Sequence, residues 1–416
     1  MTPALWAALL LAAPSHAGEP RVLTWPEAIA AARRENPELS SSRHAAAASR
    51  QSYLGSYDGL LPSLSLSNGW SDSNSAGPTT NHWDASGTLG MSLLDMGTVA
   101  GIRRAKAGLD RAGANLRLAA ATLRFNLRRA FLQLLQAQEN LEVSGTIHGI
   151  RKKSSELVRL RYDSGRESKG NMLRAAAQAL QADADLAQAG RDLGTARRTL
   201  VRHLGLAAYE AVAAAGNLSP AEPPEFPKDP EPLISRRPDL EVAAAQVRTA
   251  ETGVGSARSV LWPTLSSRYS RAVAGRDAFP SDRYSWTAGA TLSLPVFGGG
   301  PTAAYRDIRA ATSDLDAARE DLRAARAQAA VELEGAWSDY ARAASQAKVQ
   351  AALLEAARQR GEEADIRYAS GLLSYDNWEI ISTDRVVQER QALQARLNAA
   401  LAEAAWDRAL GKGLEE

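Results

Sequence analysis

The side chains spaced for chemistry in this sequence are those of Arg161-Tyr162-Asp163-Ser164-Gly165-Arg166-Glu167-Ser168. The pattern returns 206 residues later as Arg367-Tyr368-Ala369-Ser370-Gly371-Leu372-Leu373-Ser374, and Asn171 recurs as Asn377. The motif offers guanidinium, phenol, carboxylate, hydroxyl and amide groups that can clasp and position. The usual covalent players are missing. The five histidines (16, 44, 82, 148, 203) are scattered without metal-ligand spacing. Zero cysteines exclude disulfides, thiolate metal ligands and thiol nucleophiles. Gly298-Gly299-Gly300 lacks a P-loop lysine and runs into Pro301, which marks a strand-to-helix joint. No catalytic, cofactor-binding or metal site is expected, and the chain does not read as an enzyme. A catalytic site has little use for two copies along one chain, whereas a symmetric assembly does.

Each copy of the motif lies between two long alanine-rich helical patterns, so each reads as the turn of a helical hairpin. Gly165 and Gly371 supply the left-handed residue that ends the first helix. Ser168 and Ser374 are candidate N-caps for the second. The first hairpin runs from about Thr98 to Tyr162, some 100 Å at ~1.5 Å per residue, and returns from Ser168 to Leu204. The second starts near Thr302. There Ile308, Leu315, Leu322, Ala329 and Ala336 fall seven apart, with Ala311, Ala318 and Ala325 in the second seam position. Ahead of the first hairpin a helical pattern opens at Thr24-Trp25-Pro26-Glu27 and continues to about Tyr57, with Pro37 kinking or restarting it.

Strand patterns separate these helices. Trp83 to Leu93 alternates Trp, Ala, Gly, Leu, Met and Leu against Asp, Ser, Thr, Gly and Ser, and Leu64 to Ser71 does so more roughly. The second half repeats the arrangement from Tyr284 to Leu294. Pro37, Pro62, Ser92 and Gly97 reappear 201 residues on as Pro238, Pro263, Ser293 and Gly298; Leu204-Gly205 reappears 206 residues on as Leu410-Gly411. One five-residue insertion reconciles the halves, and the chain is an internal duplication. The expected organisation is a signal peptide over 1–17, a first repeat over 18–215 with strands 64–73 and 83–94, a proline-rich extended linker over 216–237, and a second repeat over 238–416 with strands 264–273 and 284–295.

Lys+Arg 49 against Asp+Glu 47 gives a net charge of +2 and no electrostatic case for nucleic acid. No later segment reaches the ~18–20 apolar residues of a membrane helix, so any membrane entry must be by strands. The strand faces carry that signature: apolar residues alternate with serine and threonine, and Trp70, Trp83, Tyr269, Tyr284 and Trp286 collect near the loop ends as interface aromatics. Four strands cannot close a barrel, and open edges are not tolerated in lipid, so several copies must pool their strands. The fold class is mainly α with a small membrane β part, in which duplicated long hairpins build a helical barrel.

At this point LTWPEAIAAARRENPEL, RRPDL, LSLPVFGGG and the doubled RYxSGxxS resemble the TolC-type outer-membrane factors, including the branch serving resistance–nodulation–division pumps. The resemblance implies a homotrimer whose twelve strands form a β-barrel in the outer membrane of a Gram-negative bacterium, set among outer-membrane lipid. It implies a helical duct in the periplasm and a tip, formed by Arg161, Tyr162, Ser164, Gly165, Ser168 and Arg367, Tyr368, Ser370, Gly371, Ser374, that docks a periplasmic adaptor and, through it, an inner-membrane pump. The function implied is the passive exit duct of a tripartite efflux system; the outer-membrane part of a type I secretion system, or a periplasmic coiled-coil adaptor without a pore, are the alternatives. Two departures stand out. No cysteine is available for lipidation, and where relatives latch the tip with Tyr, Asp and Arg this chain has Asn171 and Asn377 at the acid positions and Leu373 at a basic one. The expected gate residues are Tyr162, Asn171, Tyr368, Leu373, Asp376 and Asn377; Tyr162, Tyr368, Asn171 and Asn377 would form a latch of neutral hydrogen bonds, with a charged latch through Arg166 or Asp376 as the alternative.

Overall fold

The computed structural model describes residues 21–73, 80–219, 221–281, 283–296 and 300–415. The expected signal peptide, the centre of the first strand-to-strand loop and Gly298-Gly299 lie outside them. In chain order the elements are β1 (Arg21–Leu23), α1 (Trp25–Glu35), α2 (Pro37–Gly55), a 3-10 turn (Ser56–Leu60), β2 (Ser63–Ser73), β3 (Thr80–Leu94), α3 (Met96–Asp163), α4 (Lys169–Leu204), β4 (Val212–Ala214), α5 (Glu231–Ile234), α6 (Pro238–Ser259), β5 (Thr264–Gly275), β6 (Arg283–Ser293), α7 (Pro301–Ala369) and α8 (Tyr375–Ala409). No described helix is long and apolar enough to cross a membrane.

Two compact units emerge, and each draws on both repeats. The first comprises residues up to Pro37, Leu123–Glu225 and Ala336–Asp407. Its core brings together Ala28, Ala31 and Ala32 of α1, Leu127, Phe131 and Leu134 of α3, Leu200, Val201 and Leu204 of α4, and Leu393, Leu397 and Ala400 of α8. Alanine at so many contacts lets backbones approach closely at little buried area per contact. The parallel pair β1–β4 closes one side through Leu23, Val212 and Ala214. These three-residue strands have no counterpart in the sequence reading.

The second unit comprises Glu38–Thr122, Phe226–Gly335 and Arg408–Glu416. It holds a four-stranded antiparallel sheet in the order β2-β3-β5-β6, so each repeat supplies one hairpin and the hairpins join between β3 and β5. Of the α7 seam, Leu315, Ala318 and Ala329 are buried. The linker departs from a fully extended path. Pro232 occupies the first turn of α5, where a missing N–H costs nothing, so proline density does not forbid this one helical turn.

The sequence anchors of each repeat meet in space. Asn36, the residue before Pro37, donates from its amide to the His203 carbonyl at 2.8 Å. Gly205 closes α4 with φ 79° immediately beside the backbone of Glu35 and Asn36. In the second repeat Gly411, φ 76°, packs against Pro238 and Arg237. Arg237 is itself fixed, donating to Asp239 and Glu332 at 2.7 Å each and to the Ala329 carbonyl at 3.3 Å.

Candidate functional site

Both hairpin turns are Schellman motifs, built as the glycines require. Gly165 (φ 71°) and Gly371 (φ 81°) are left-handed. The Arg166 N–H reaches back to the Arg161 carbonyl at 2.8 Å and the Gly165 N–H to Tyr162 at 2.9 Å; Leu372 and Gly371 repeat this onto Arg367 and Tyr368 at 2.8 and 3.0 Å. Ser164 and Ser370 tie their hydroxyls to carbonyls of the preceding turn. Ser168 caps α4 by accepting from the Asn171 N–H at 3.1 Å. Ser374 starts α8 only through its carbonyl, which accepts from the Trp378 N–H at 3.0 Å.

Although the turns share a motif, they use it differently. Tyr368 is fully buried in a small core with Val158, Ala175, Ala364, Tyr375 and Trp378, against which Leu373 packs. Its ring stacks on Trp378, centroids 4.4 Å apart and nearly parallel, and the Arg161 guanidinium lies 4.5 Å over it. Arg161 also donates to the Tyr368 carbonyl at 2.5 Å, so one arginine of the first turn clamps the end of α7. The Tyr368 hydroxyl donates to Glu167 Oε2 at 3.1 Å, and the Asn171 amide donates to Oε1 at 2.8 Å. Tyr162, the counterpart of Tyr368, is only half-buried and joins none of these aromatic contacts. Arg367, Asp376 and Asn377 are exposed and make no side-chain bond within the described chain. Of the residues expected in a neutral latch, Tyr368 and Asn171 meet on the carboxylate of Glu167, and Asn377 makes no side-chain bond within the described chain.

Electrostatics follow from this geometry. Burial raises the Glu167 carboxyl, but bonds from Asn171, the Ser168 N–H and Tyr368, with the Arg161 charge nearby, outweigh it and hold the group below its usual range. Burial and the bond to Glu167 push the Tyr368 phenol well above its usual value. The clasp is thus a neutral phenol donating to an ionised carboxylate, the stronger kind of hydrogen bond.

A second polar cluster crosses α3, α4 and α8. Buried Glu379 accepts from Gln178 at 2.6 Å and from Arg174 at 3.0 Å. Gln178 accepts in turn from buried Arg151 at 3.1 Å, which also donates to Ser382 and Thr383. Burial lowers the Arg151 guanidinium against the opposing pull of Glu379. Glu379→Ala strands these donors and is expected to destabilise the unit by about 3–5 kcal/mol, with Glu379→Gln costing less. Limited proteolysis of the two variants in denaturant would check the order. Among the described residues no cluster of His, Asp or Glu could hold a metal ion.

The sheet supplies the other functional surface. In register, Leu66, Gly87, Arg271 and Trp286 form one row, and Leu64, Leu89, Tyr269 and Ala288 the next, with Trp70 opposite Trp83 at the loop end. Leu64, Leu66, Tyr284 and Trp286 are 67%, 79%, 74% and 64% exposed, an apolar surface no monomer leaves bare in water. The charges on this face, Asp72 and Arg271, stand toward the loop end, where Trp70, Trp83, Tyr284 and Trp286 also collect; Tyr269, expected there, lies mid-strand instead, in the row of Leu64 and Leu89. The opposite face carries rows such as Ser65, Thr88, Ser270 and Thr287. Hydroxyls bond across it, Ser67 to Ser86 at 2.8 Å and Thr88 to Ser270 at 3.2 Å. β2 and β6 are left with unpaired edges.

Two matched helical hairpins and a sheet with one lipid-type face, one hydroxyl face and two open edges define a channel-forming protein of an outer membrane. The model of the outer membrane efflux protein family matches residues 28–206 and 230–412, most of both repeats, and the chain belongs to that family. It is by membership an outer-membrane channel protein with a periplasmic extension, not an enzyme. A stretch of 104 residues is 31% identical to outer membrane protein OprJ of Pseudomonas aeruginosa; it covers 23% of this chain and 22% of OprJ, so the chain spans less than a quarter of that relative's length. The fold is similar to the outer membrane channel CmeC of Campylobacter jejuni, with TM-score 0.83, 16% identity and coverage of 94% of this chain and 87% of CmeC. It is also similar to the open-state channel MtrE of Neisseria gonorrhoeae, with TM-score 0.81, 20% identity and coverage of 94% of this chain and 89% of MtrE.

Proposed function

We propose that three copies of this chain pool their strands into one twelve-stranded barrel in the outer membrane of a Gram-negative bacterium, as the exit duct of a tripartite efflux system. The sheet carries this reading: its apolar face needs lipid, its hydroxyl face needs water, and its two edges need strands from other copies. The doubled turns form the periplasmic tip that receives an adaptor and, through it, a resistance–nodulation–division pump. The contacts of Arg161 and Glu167 on Tyr368 hold one protomer's two turns together and keep the resting tip closed.

Native mass measurement in detergent is expected to give a trimer, and the protein should leave the membrane only with detergent. A water-soluble monomer would defeat the reading. In intact cells, cysteine at Gly275, the loop end of β5, should react with an impermeant reagent while cysteine at Gly165 stays protected. The reverse pattern would invert the topology.

A further inference from the structure

The hydroxyl face of the sheet carries one feature that a simple water-filled bore does not require. Its described residues are glycine, alanine, serine and threonine apart from His82 and three formal charges, Asp84, Arg268 and Arg283. Asp84 is already engaged, with His82 Nε2 at 2.9 Å and the Ser71 hydroxyl at 3.4 Å. Arg268 is exposed and makes no hydrogen bond or ion pair within the described chain. Its neighbour in register on β3 is Gly90 and on β6 is Gly289, so no side chain stands on either side of it. A methyl group at Gly289 would meet nothing within 4 Å, and one at Gly90 would first meet the Ser63 hydroxyl at 3.3 Å. The guanidinium therefore stands in a clearing, free to extend from the sheet. It lies toward the α6 end of β5, away from the aromatic loop end.

We propose that Arg268 is a selectivity residue, three copies of which ring the bore and favour anionic solutes over cations. This rests on the barrel reading above, with the hydroxyl face inward. Strands ~4.8 Å apart and tilted by about 40° give a twelve-stranded barrel a backbone radius of about 12–15 Å. An extended arginine spans about half of that radius, so every point of the cross-section is within roughly one Debye length of a guanidinium. Serine, threonine and glycine in the adjoining rows provide no compensating negative charge at that level. A ring of like charges in a narrow bore is a device for ion selection, and a focused field of several kT raises the local counter-ion concentration about tenfold or more.

The test is the reversal potential of the full chain, reconstituted as trimers in a planar bilayer under a potassium chloride gradient. It is run in a Tyr368→Phe, Glu167→Gln background, so that the tip does not dominate the current. The background should prefer chloride. Arg268→Lys should keep that preference, Arg268→Gln should lower the chloride-to-potassium permeability ratio by about tenfold, and Arg268→Glu should reverse it. An unchanged ratio in both Arg268→Gln and Arg268→Glu channels of normal conductance overturns the selectivity assignment and leaves the channel reading standing. Trimers without any conductance in the background would overturn the channel reading, and the assignment with it.

Discussion

Tyr368→Ala should raise the conductance of the reconstituted channel by an order of magnitude or more. The ring is wholly buried, stacked on Trp378 and covered by Arg161, and its hydroxyl bonds Glu167 on the other hairpin. Deleting a buried aromatic costs about 3–5 kcal/mol, and in the proposed trimer the loss repeats at each protomer. A tenfold change needs only about 1.4 kcal/mol of bias between closed and open tips. Tyr368→Phe should have a smaller effect, because it keeps the stack and the cation–π contact and removes only the bond to the carboxylate, worth about 1.5–3 kcal/mol. Asn377→Ala should do nothing, since that side chain is exposed and makes no bond within the described chain. The pH dependence follows from Glu167, whose folded pKa lies below its unfolded value. Its contribution is fully present above the unfolded value and is lost only as pH falls through the depressed one. Conductance should therefore stay flat between pH 5 and 8 and rise only in stronger acid, with Glu167→Gln abolishing that rise. A conductance unmoved by Tyr368→Ala would show that the clasp is not the gate.

That flat profile is also what a wholly neutral latch predicts, but the reason differs, and the difference shows where sequence reasoning stopped. The turn glycines were legible because a positive φ leaves few alternatives to glycine, and both turned out left-handed. The asymmetry between the turns was not, because Tyr162 and Tyr368 sit in near-identical local sequence. What separates them lies a helical turn or more away: Trp378 and Tyr375 in the second hairpin stand where Met172 and Lys169 stand in the first. Only the second turn owns a partner large enough to bury a tyrosine. Glu167 escaped notice because the acid was sought six residues after the glycine, as in relatives, and not two. The strands were legible to within a few residues at either end, since clean alternation persists over Trp83–Leu93 and Tyr284–Leu294 and the duplication points to their less regular partner strands. β1 and β4, three residues each, are too short to show a period. α5 was hidden by prolines that are harmless in a first turn.

Gly205→Ala is expected to be the most damaging single substitution in the first unit, and Gly411→Ala the natural comparison for it. The two glycines are equivalents in the duplication, and both are left-handed, with φ 79° and 76°. An alanine pays about 1–2 kcal/mol for that conformation at either site. The surroundings differ. A Cβ on Gly205 would fall 2.3 Å from the Glu35 carbonyl oxygen and 2.8 Å from the Asn36 Cα, both backbone atoms that cannot swing aside. On Gly411 it would meet the Pro238 ring at 3.0 Å and the Arg237 Cα at 3.1 Å, contacts that a few tenths of an ångström relieve. To admit alanine, Gly205 must push the joint between α1 and α2 away from the end of α4, which breaks the Asn36 bond to His203 and loosens Leu200, Val201 and Leu204 from the core. The expected cost is on the order of 4 kcal/mol or more at Gly205 and about half that at Gly411. Chemical denaturation of detergent-solubilised trimers would measure both. Equal losses at the two positions would mean that strain in the helix cap alone sets the cost, and that the close approach of the first repeat's proline joint to its closing glycine contributes nothing to stability.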